Sequence, residues 1–164
     1  NDAFEDNLKL YFESKRKDLD ILLTSTIPTQ KNLMKTILWL NSSILAFTIT
    51  LLGKQVGIIF LSIPFIFSFI SIFHILFSLT DGRAKSFGTI PLENIKKIPQ
   101  NKNERIQALY DMNTCIDIAF KNNSLIIKKR ANKIGLATKY TIVSVTSIFF
   151  AIVFYVNIYL MKGG

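Results

Sequence analysis

A polar stripe runs down one of the most apolar stretches of this sequence. At 100° per residue, Pro64, Ser68, Ser71 and Ser78 fall within an arc of about 80°, and His74 lies about 40° beyond it. The stretch that carries them, 56–79, holds no Asp, Glu, Lys or Arg. Ser62, nearer one end, points the other way. Hydroxyls on an otherwise apolar helix have two uses. They can hydrogen-bond a neighbouring helix, as well as carbonyls one turn back on their own, which is the ordinary reading. The sharper reading is a pore: several copies would line a water path with Ser68, Ser71 and Ser78. His74, the only histidine, would then make that path sensitive to protonation, and Pro64 would supply a kink that moves on opening.

Similar polar positions recur in two other apolar stretches. Asn41 and Thr48 are seven residues apart on one helical face, and Ser43 and Thr50 share another. Asn157 shares a face with Thr146. An Asn inside a bilayer bonds across to another helix, so Asn41 is expected at an oligomer contact in preference to an ion-selecting position. A further cluster, Lys128, Lys129, Arg130 and Lys133, could hold an anionic ligand such as a nucleotide or a lipid head group, with juxtamembrane anchoring as its ordinary role.

An enzyme would need more than these residues offer. His74 and Asp81 are two helical turns apart, Cys115 has no histidine near it in sequence, and no carboxylate lies within an apolar stretch to relay protons or bind a cation. No enzymatic activity, metal site or cofactor is expected. A secondary transporter would show an inverted repeat and broken helices, and neither is visible.

The elements that must position these residues follow from the distribution of charge. Of the 164 residues 49% are hydrophobic, yet 20 are Lys or Arg, because the apolar residues are gathered into three blocks and the charges lie between them. The blocks cover 36–53, 56–79 and 140–161 and contain no charged side chain. A hydrocarbon core of about 30 Å takes roughly 20 helical residues, and continuous apolar runs favour helices over a barrel. The expected fold is an all-α membrane protein with three transmembrane helices. The first block is the shortest, and with Asn41, Ser42 and Ser43 in a row it could also pass for a buried helix of a soluble domain. About 35 polar residues precede it, which argues against a signal peptide.

Basic residues in short loops are retained on the cytoplasmic side. Residues 1–35 carry Lys9, Lys15, Arg16, Lys17, Lys31 and Lys35, and the segment 80–139 carries 12 of the 20 bases, against Lys54 and Lys162 elsewhere. The expected topology places residues 1–35 and 80–139 in the cytoplasm, with the GKQ turn and the tail 162–164 outside. The formal charge of +9 then reads as anchoring beside anionic lipid. Nucleic acid is not an expected partner, since no zinc spacing, aromatic RNA-binding motif or helix-turn-helix pattern accompanies the charge. Cys115 is the sole cysteine, in a segment expected in a reducing compartment.

Two amphipathic helices complete the layout as a cytoplasmic layer. Residues 3–24 place Phe4, Leu8, Tyr11 or Phe12, Leu19, Leu22 and Leu23 near one face, and Thr26, Pro28 and Thr29 are expected to break that helix. Gly82, Gly88, Pro91 and Pro99 mark a loop over 81–103. From Glu104 onwards Ile106, Leu109, Asn113 or Met112, Ile116, Phe120, Ile127, Ala131 and Ile134 recur at three- and four-residue steps. Asn122, Asn123 and Gly135 weaken that helix and could divide it. It leads directly into the third span, and the N-terminal helix could pack on it. Trp39, Tyr140, Tyr155 and Tyr159 read as interfacial anchors.

The order of parts resembles the small membrane effectors of bacterial anti-phage systems, the Pycsar effector and SLATT-like transmembrane domains. Lys35 leads into a first span with Asn41 inside it, a short hairpin joins the second span, and a basic helix ending in Lys139 and Tyr140 enters the last. The resemblance implies a homo-oligomer of the bacterial inner membrane that stays silent until infection and then breaches the membrane. No ligand-binding motif of those systems is present, which puts direct nucleotide sensing in doubt. A separate sensor or inhibitory partner protein is expected in its place. The alternative expectation is a non-conducting immunity, binding or scaffold subunit of a larger complex.

Overall fold

The computed structural model describes residues 2–52, 58–80 and 102–162. The loop expected from residue 81 onwards, the turn at Lys54, the C-terminal tail and the side chain of Tyr159 lie outside the described residues. Among those described, the chain is entirely helical: α1 (Asp2–Ile21), a π-helical turn (Leu22–Thr26), α2 (Ile27–Leu52), α3 (Ile58–Thr80) and α4 (Lys102–Lys162). Three helical stretches are long and apolar enough to cross a membrane.

The break expected around Pro28 does not occur. The helix runs unbroken from residue 2 to residue 52, and Pro28 sits directly after a π turn whose wider i→i−5 bonding shifts the hydrogen-bond ladder and makes room for a residue without an N–H. The π turn just before it also corrects a register. Glu5, Leu8, Phe12, Lys15 and Leu19, at steps of three and four, are the inward positions of α1. Counting sevens on from Phe12 reaches Leu19 and Thr26, whereas counting sevens back from buried Asn41 reaches Met34 and Ile27. The two frames differ by one residue. A π turn holds that extra residue, closed by the Ile27 N–H bonding the Leu22 carbonyl five positions back.

The chain forms two compact units, Asn1–Thr29 with Gly82–Lys128, and Gln30–Asp81 with Lys129–Gly164. In the first, α1 packs on the first half of α4: Leu19, Ile116 and Ala119 form the core, flanked by Phe12 and Leu23. The Tyr11 hydroxyl donates to both carboxylate oxygens of Asp117, at 3.0 and 2.9 Å, and the Asn113 amide donates to the Leu8 carbonyl at 3.1 Å. Lys15 stands 4.8 Å over the Phe120 ring, and Lys9 and Arg105 both reach Glu5. Two residues expected on the apolar faces, Phe4 and Ala131, are exposed instead. Asn123, read in the sequence only as a weak helical residue, is fully buried.

The Asp117 hydrogen bond raises the Tyr11 phenol above its ordinary value near 10, as Glu5 does for Lys9. A raised folded-state value means that the contact contributes below about pH 10 and is lost as pH climbs through the folded value. In Asp117→Asn, Tyr11 should ionise at a lower pH than in the unchanged chain, read from its ring resonance in a tyrosine-labelled sample. An unshifted titration would show that Asp117 does not hold the phenol.

The second unit is a three-helix bundle with inward positions at steps of three, four or seven on every helix. They are Met34, Ile37, Asn41, Ile44 and Thr48 on α2, and Leu61, Pro64, Ser68, Ser71, Ile75 and Ser78 on α3. On α4 they are Arg130, Ile134, Ala137, Thr141, Ser144 and Ala151. A 3.5-residue repeat is the signature of left-handed knobs-into-holes packing. Met34, Ile37, Ile75, Ile134 and Ala137 cluster towards one end, and Leu61 and Ala151, with Leu51 and Tyr155, towards the other. Hence α3 runs antiparallel to α2 and α4. Asn122, Asn123 and Gly135 do not divide α4, and a Cβ at 135 would meet nothing within 4 Å.

Candidate functional site

Between those two apolar clusters the bundle interior is polar. Asn41, Ser71 and Thr141, one from each helix, are all buried. The Asn41 Nδ2 donates to the Ile37 carbonyl at 2.8 Å, to Ser71 Oγ at 3.1 Å and to Thr141 Oγ1 at 2.8 Å. Ser71 and Thr141 both donate to the carbonyl of Ala137, at 2.9 and 2.8 Å, and their hydroxyl oxygens stand 3.0 Å apart. With their protons committed to that carbonyl, the two hydroxyls are left as acceptors, which is what the Asn41 amide needs. The Asn41 Oδ1 is buried and has no partner among the described residues.

One turn further along, Ser68 donates to Ser144 Oγ at 3.0 Å, and Ser144 donates to the Pro64 carbonyl at 3.0 Å. A carbonyl oxygen has two lone pairs, so the Pro64 carbonyl can take the Ser144 hydroxyl in addition to its helical donor; the carbonyl that the proline ring deprives of a donor is the one four residues earlier, at Phe60. Thr48 is buried and bonds the Ile44 carbonyl one turn back. Ser78 is buried near the other end, and its Oγ has no hydrogen-bond partner among the described residues.

Small side chains are what bring the helices close enough for these bonds. Ser68, Ser71, Ala137, Ser144 and Ala151 occupy inward positions that would otherwise carry Leu or Ile, and small residues at such positions let backbones approach within a bilayer. The Ser68, Ser71, Thr141 and Ser144 hydroxyls and the Asn41 Nδ2 then find partners within one chain, while Asn41 Oδ1 and Ser78 Oγ do not among the described residues. Within the chain, the Asn41 Nδ2 finds its side-chain partners on α3 and α4.

His74 is only half buried, and its ring stacks on Tyr140 with centroids 5.5 Å apart and planes 12° from parallel. Phe67 stacks on Tyr140 as well, at 5.9 Å. Tyr140, expected as an interfacial anchor, is therefore held by α3 residues. Trp39 does stand outside the bundle, 71% exposed.

Asn157 lies away from the seam. It is exposed and bonds its own Val153 carbonyl at 3.0 Å. Sixteen residues separate it from Thr141, so it lies about 160° around α4 from the seam. Thr146, chosen with it, is also outward. Thr141 and Ser144, which do face inward, were not singled out in the sequence. A signal for them existed: counting three and four onwards from Ile134 passes through Ala137, Thr141 and Ser144.

In the basic cluster, Lys128 and Lys129 are exposed, Lys133 is half buried and Arg130 is 5% exposed. The Lys133 ammonium donates to the Phe77 carbonyl at 3.1 Å, in the last turn of α3. A cation there satisfies a terminal carbonyl and opposes the negative end of the helix dipole. Cys115 is exposed. Comparison with family models, curated proteins and solved structures finds no match to this chain.

Proposed function

We propose that this chain is a membrane effector that is closed in its resting state and permeabilises the membrane when triggered copies assemble. The observation that supports this reading is the polar track of Asn41, Ser68, Ser71, Thr141 and Ser144 enclosed in a bundle whose outer surface is Phe, Ile, Leu and Val. If α3 turns away from α2 and α4, the same hydroxyls become available to water along a shared axis, and the outer apolar surface still meets lipid. The triggered state is an oligomer, because the bundle of one chain has no room for a conduit between helices bonded at about 3 Å.

In this reading the protein acts in bacterial anti-phage defence, at the inner membrane, with residues 1–35 and 80–139 on the cytoplasmic side. The distribution of Lys and Arg and the layout of the parts are its support. The trigger is a separate sensor or inhibitory partner protein. Production of the chain together with its genomic neighbours, with uptake of an impermeant dye followed during infection, tests it. Dye uptake that begins only on triggering is expected, and unchanged permeability under every trigger would overturn the proposal.

A second reading, a non-conducting scaffold or immunity subunit, is favoured by the bonds that join Asn41, Ser71, Thr141 and Ala137 across all three helices. In that reading the seam serves only to hold three helices together, and purification would yield a one-to-one complex with a larger protein rather than a ring.

A further inference from the structure

The two units differ in how their charges are arranged. Among the described residues, α1 carries six acids, Asp2, Glu5, Asp6, Glu13, Asp18 and Asp20, interleaved with Lys9, Lys15, Arg16 and Lys17. The bundle unit is different. Stretches 30–81 and 129–164 contain a single carboxylate side chain, Asp81, which lies outside the described residues. Against it, Lys31, Lys35, Lys129, Arg130, Lys133 and Lys139 all stand at one end of the bundle. Packing of Met34 and Ile37 on Ile134 and Ala137 puts the cations of α2 and those of α4 at the same level.

Four of them, Lys31, Lys35, Lys129 and Lys139, are exposed and make no ion pair among the described residues. Like charges gathered without carboxylates among them create a local positive potential, and such a patch attracts anions. Their depth says what that is. Lys35 precedes exposed Trp39 by one helical turn, and Lys139 adjoins Tyr140, at the start of the uncharged part of α4. With Asn41 level with Thr141, Lys139 stands at the depth of the indole, Lys35 about 6 Å beyond it, and Lys31 and Lys129 about 12–15 Å beyond, so the cations span the head-group layer, lipid phosphates included.

We propose that this collar binds anionic phospholipid head groups, each phosphate shared by lysines of α2 and α4, and that it selects anionic over zwitterionic lipid. The binding is independent of whether the bundle conducts. Lys133 has a structural duty at the end of α3, so the four exposed lysines carry the selectivity.

Trp39 is the only tryptophan and reports on the lipid beside the collar. The full chain is reconstituted in phosphatidylcholine vesicles containing either brominated phosphatidylglycerol or brominated phosphatidylcholine, and quenching of Trp39 is measured. Near a surface each lysine contributes about a fivefold preference for anionic lipid. Quenching by the glycerol lipid is therefore expected at a mole fraction at least about fivefold lower than by the choline lipid. The preference should vanish in the combined Lys31→Gln, Lys35→Gln, Lys129→Gln and Lys139→Gln variant, and should shrink in the unchanged chain at 1 M salt. Lys9→Gln with Lys17→Gln should leave it intact. Equal quenching by the two lipids, or a preference that survives the fourfold variant, would overturn the proposal. So would displacement of the glycerol lipid by millimolar inorganic phosphate, which would mark a site for soluble anions.

Discussion

Ser71→Leu should destabilise the membrane bundle by about 3 kcal/mol. Two effects add. Ser71 is fully buried and in contact with α2 and α4, and forcing extra methylenes into a filled interior costs about 1–3 kcal/mol. The change also removes the bond to the Ala137 carbonyl and the contacts with Asn41 and Thr141, each worth on average about 0.6 kcal/mol in a bilayer. Ser43→Leu is the matched control, because Ser43 is exposed and bonds only the Trp39 carbonyl of its own helix. It should shift stability by no more than about 0.5 kcal/mol. Unfolding in mixed micelles of increasing denaturing detergent, followed by Trp39 fluorescence, gives both numbers. Equal stabilities for the two variants would mean that the seam does not hold the bundle.

The second large effect is functional and separates the two proposed readings. The Oγ atoms of Ser68 and Ser144 are 3.0 Å apart across α3 and α4, close enough that cysteines at both positions can form a disulfide, with an S–S bond of about 2.05 Å. In a Cys115→Ser background, which removes the exposed native thiol, Ser68→Cys with Ser144→Cys ties the two helices together on oxidation. If permeabilisation needs α3 to turn away from α4, oxidised cells should take up at least tenfold less dye after triggering, and reduction should restore uptake. If the chain is a scaffold, its association with its partner should be the same in both redox states. Triggered dye uptake that is indifferent to the crosslink would exclude opening along this seam.

Chemistry that depends only on local composition was legible in the chain. Three charge-free stretches, each long enough to cross a bilayer, require helices, because lipid offers no partner to an unpaired backbone group. The serine stripe of 56–79 also announced itself, since a 100° step places Ser68, Ser71 and Ser78 on one side whatever surrounds them. What faces that side is a different matter. A polar stripe has the same periodicity whether it meets a sister helix, a second copy or water, and only the coordinates show Thr141, Ser144 and Asn41 opposite it.

The outward residues of α4 make the same point. Asn157 and Thr146 share a face, but on a span with polar groups on two sides, periodicity does not say which side meets α2 and α3. Depth of packing decided for Thr141 and Ser144, where the small Ala137 and Ala151 permit close approach. Pro28 misled for a related reason. Proline breaks a regular α-helical ladder, and the π turn just before it shifts that ladder so that the helix continues through Pro28.

Length, apolarity and charge along the sequence by themselves determined that the three apolar segments are helical, that each can span a membrane, and that lysines precede the first and third of them. These properties are sums over neighbouring residues, and no distant contact can undo them. Only the tertiary structure decided that the serine stripe is closed by α2 and α4 of the same chain, that Asn41 is its hub, and that the register of α1 is reset before α2 begins. Those outcomes depend on which of several equivalent faces meet, and that choice is made by the fit of side chains across helices.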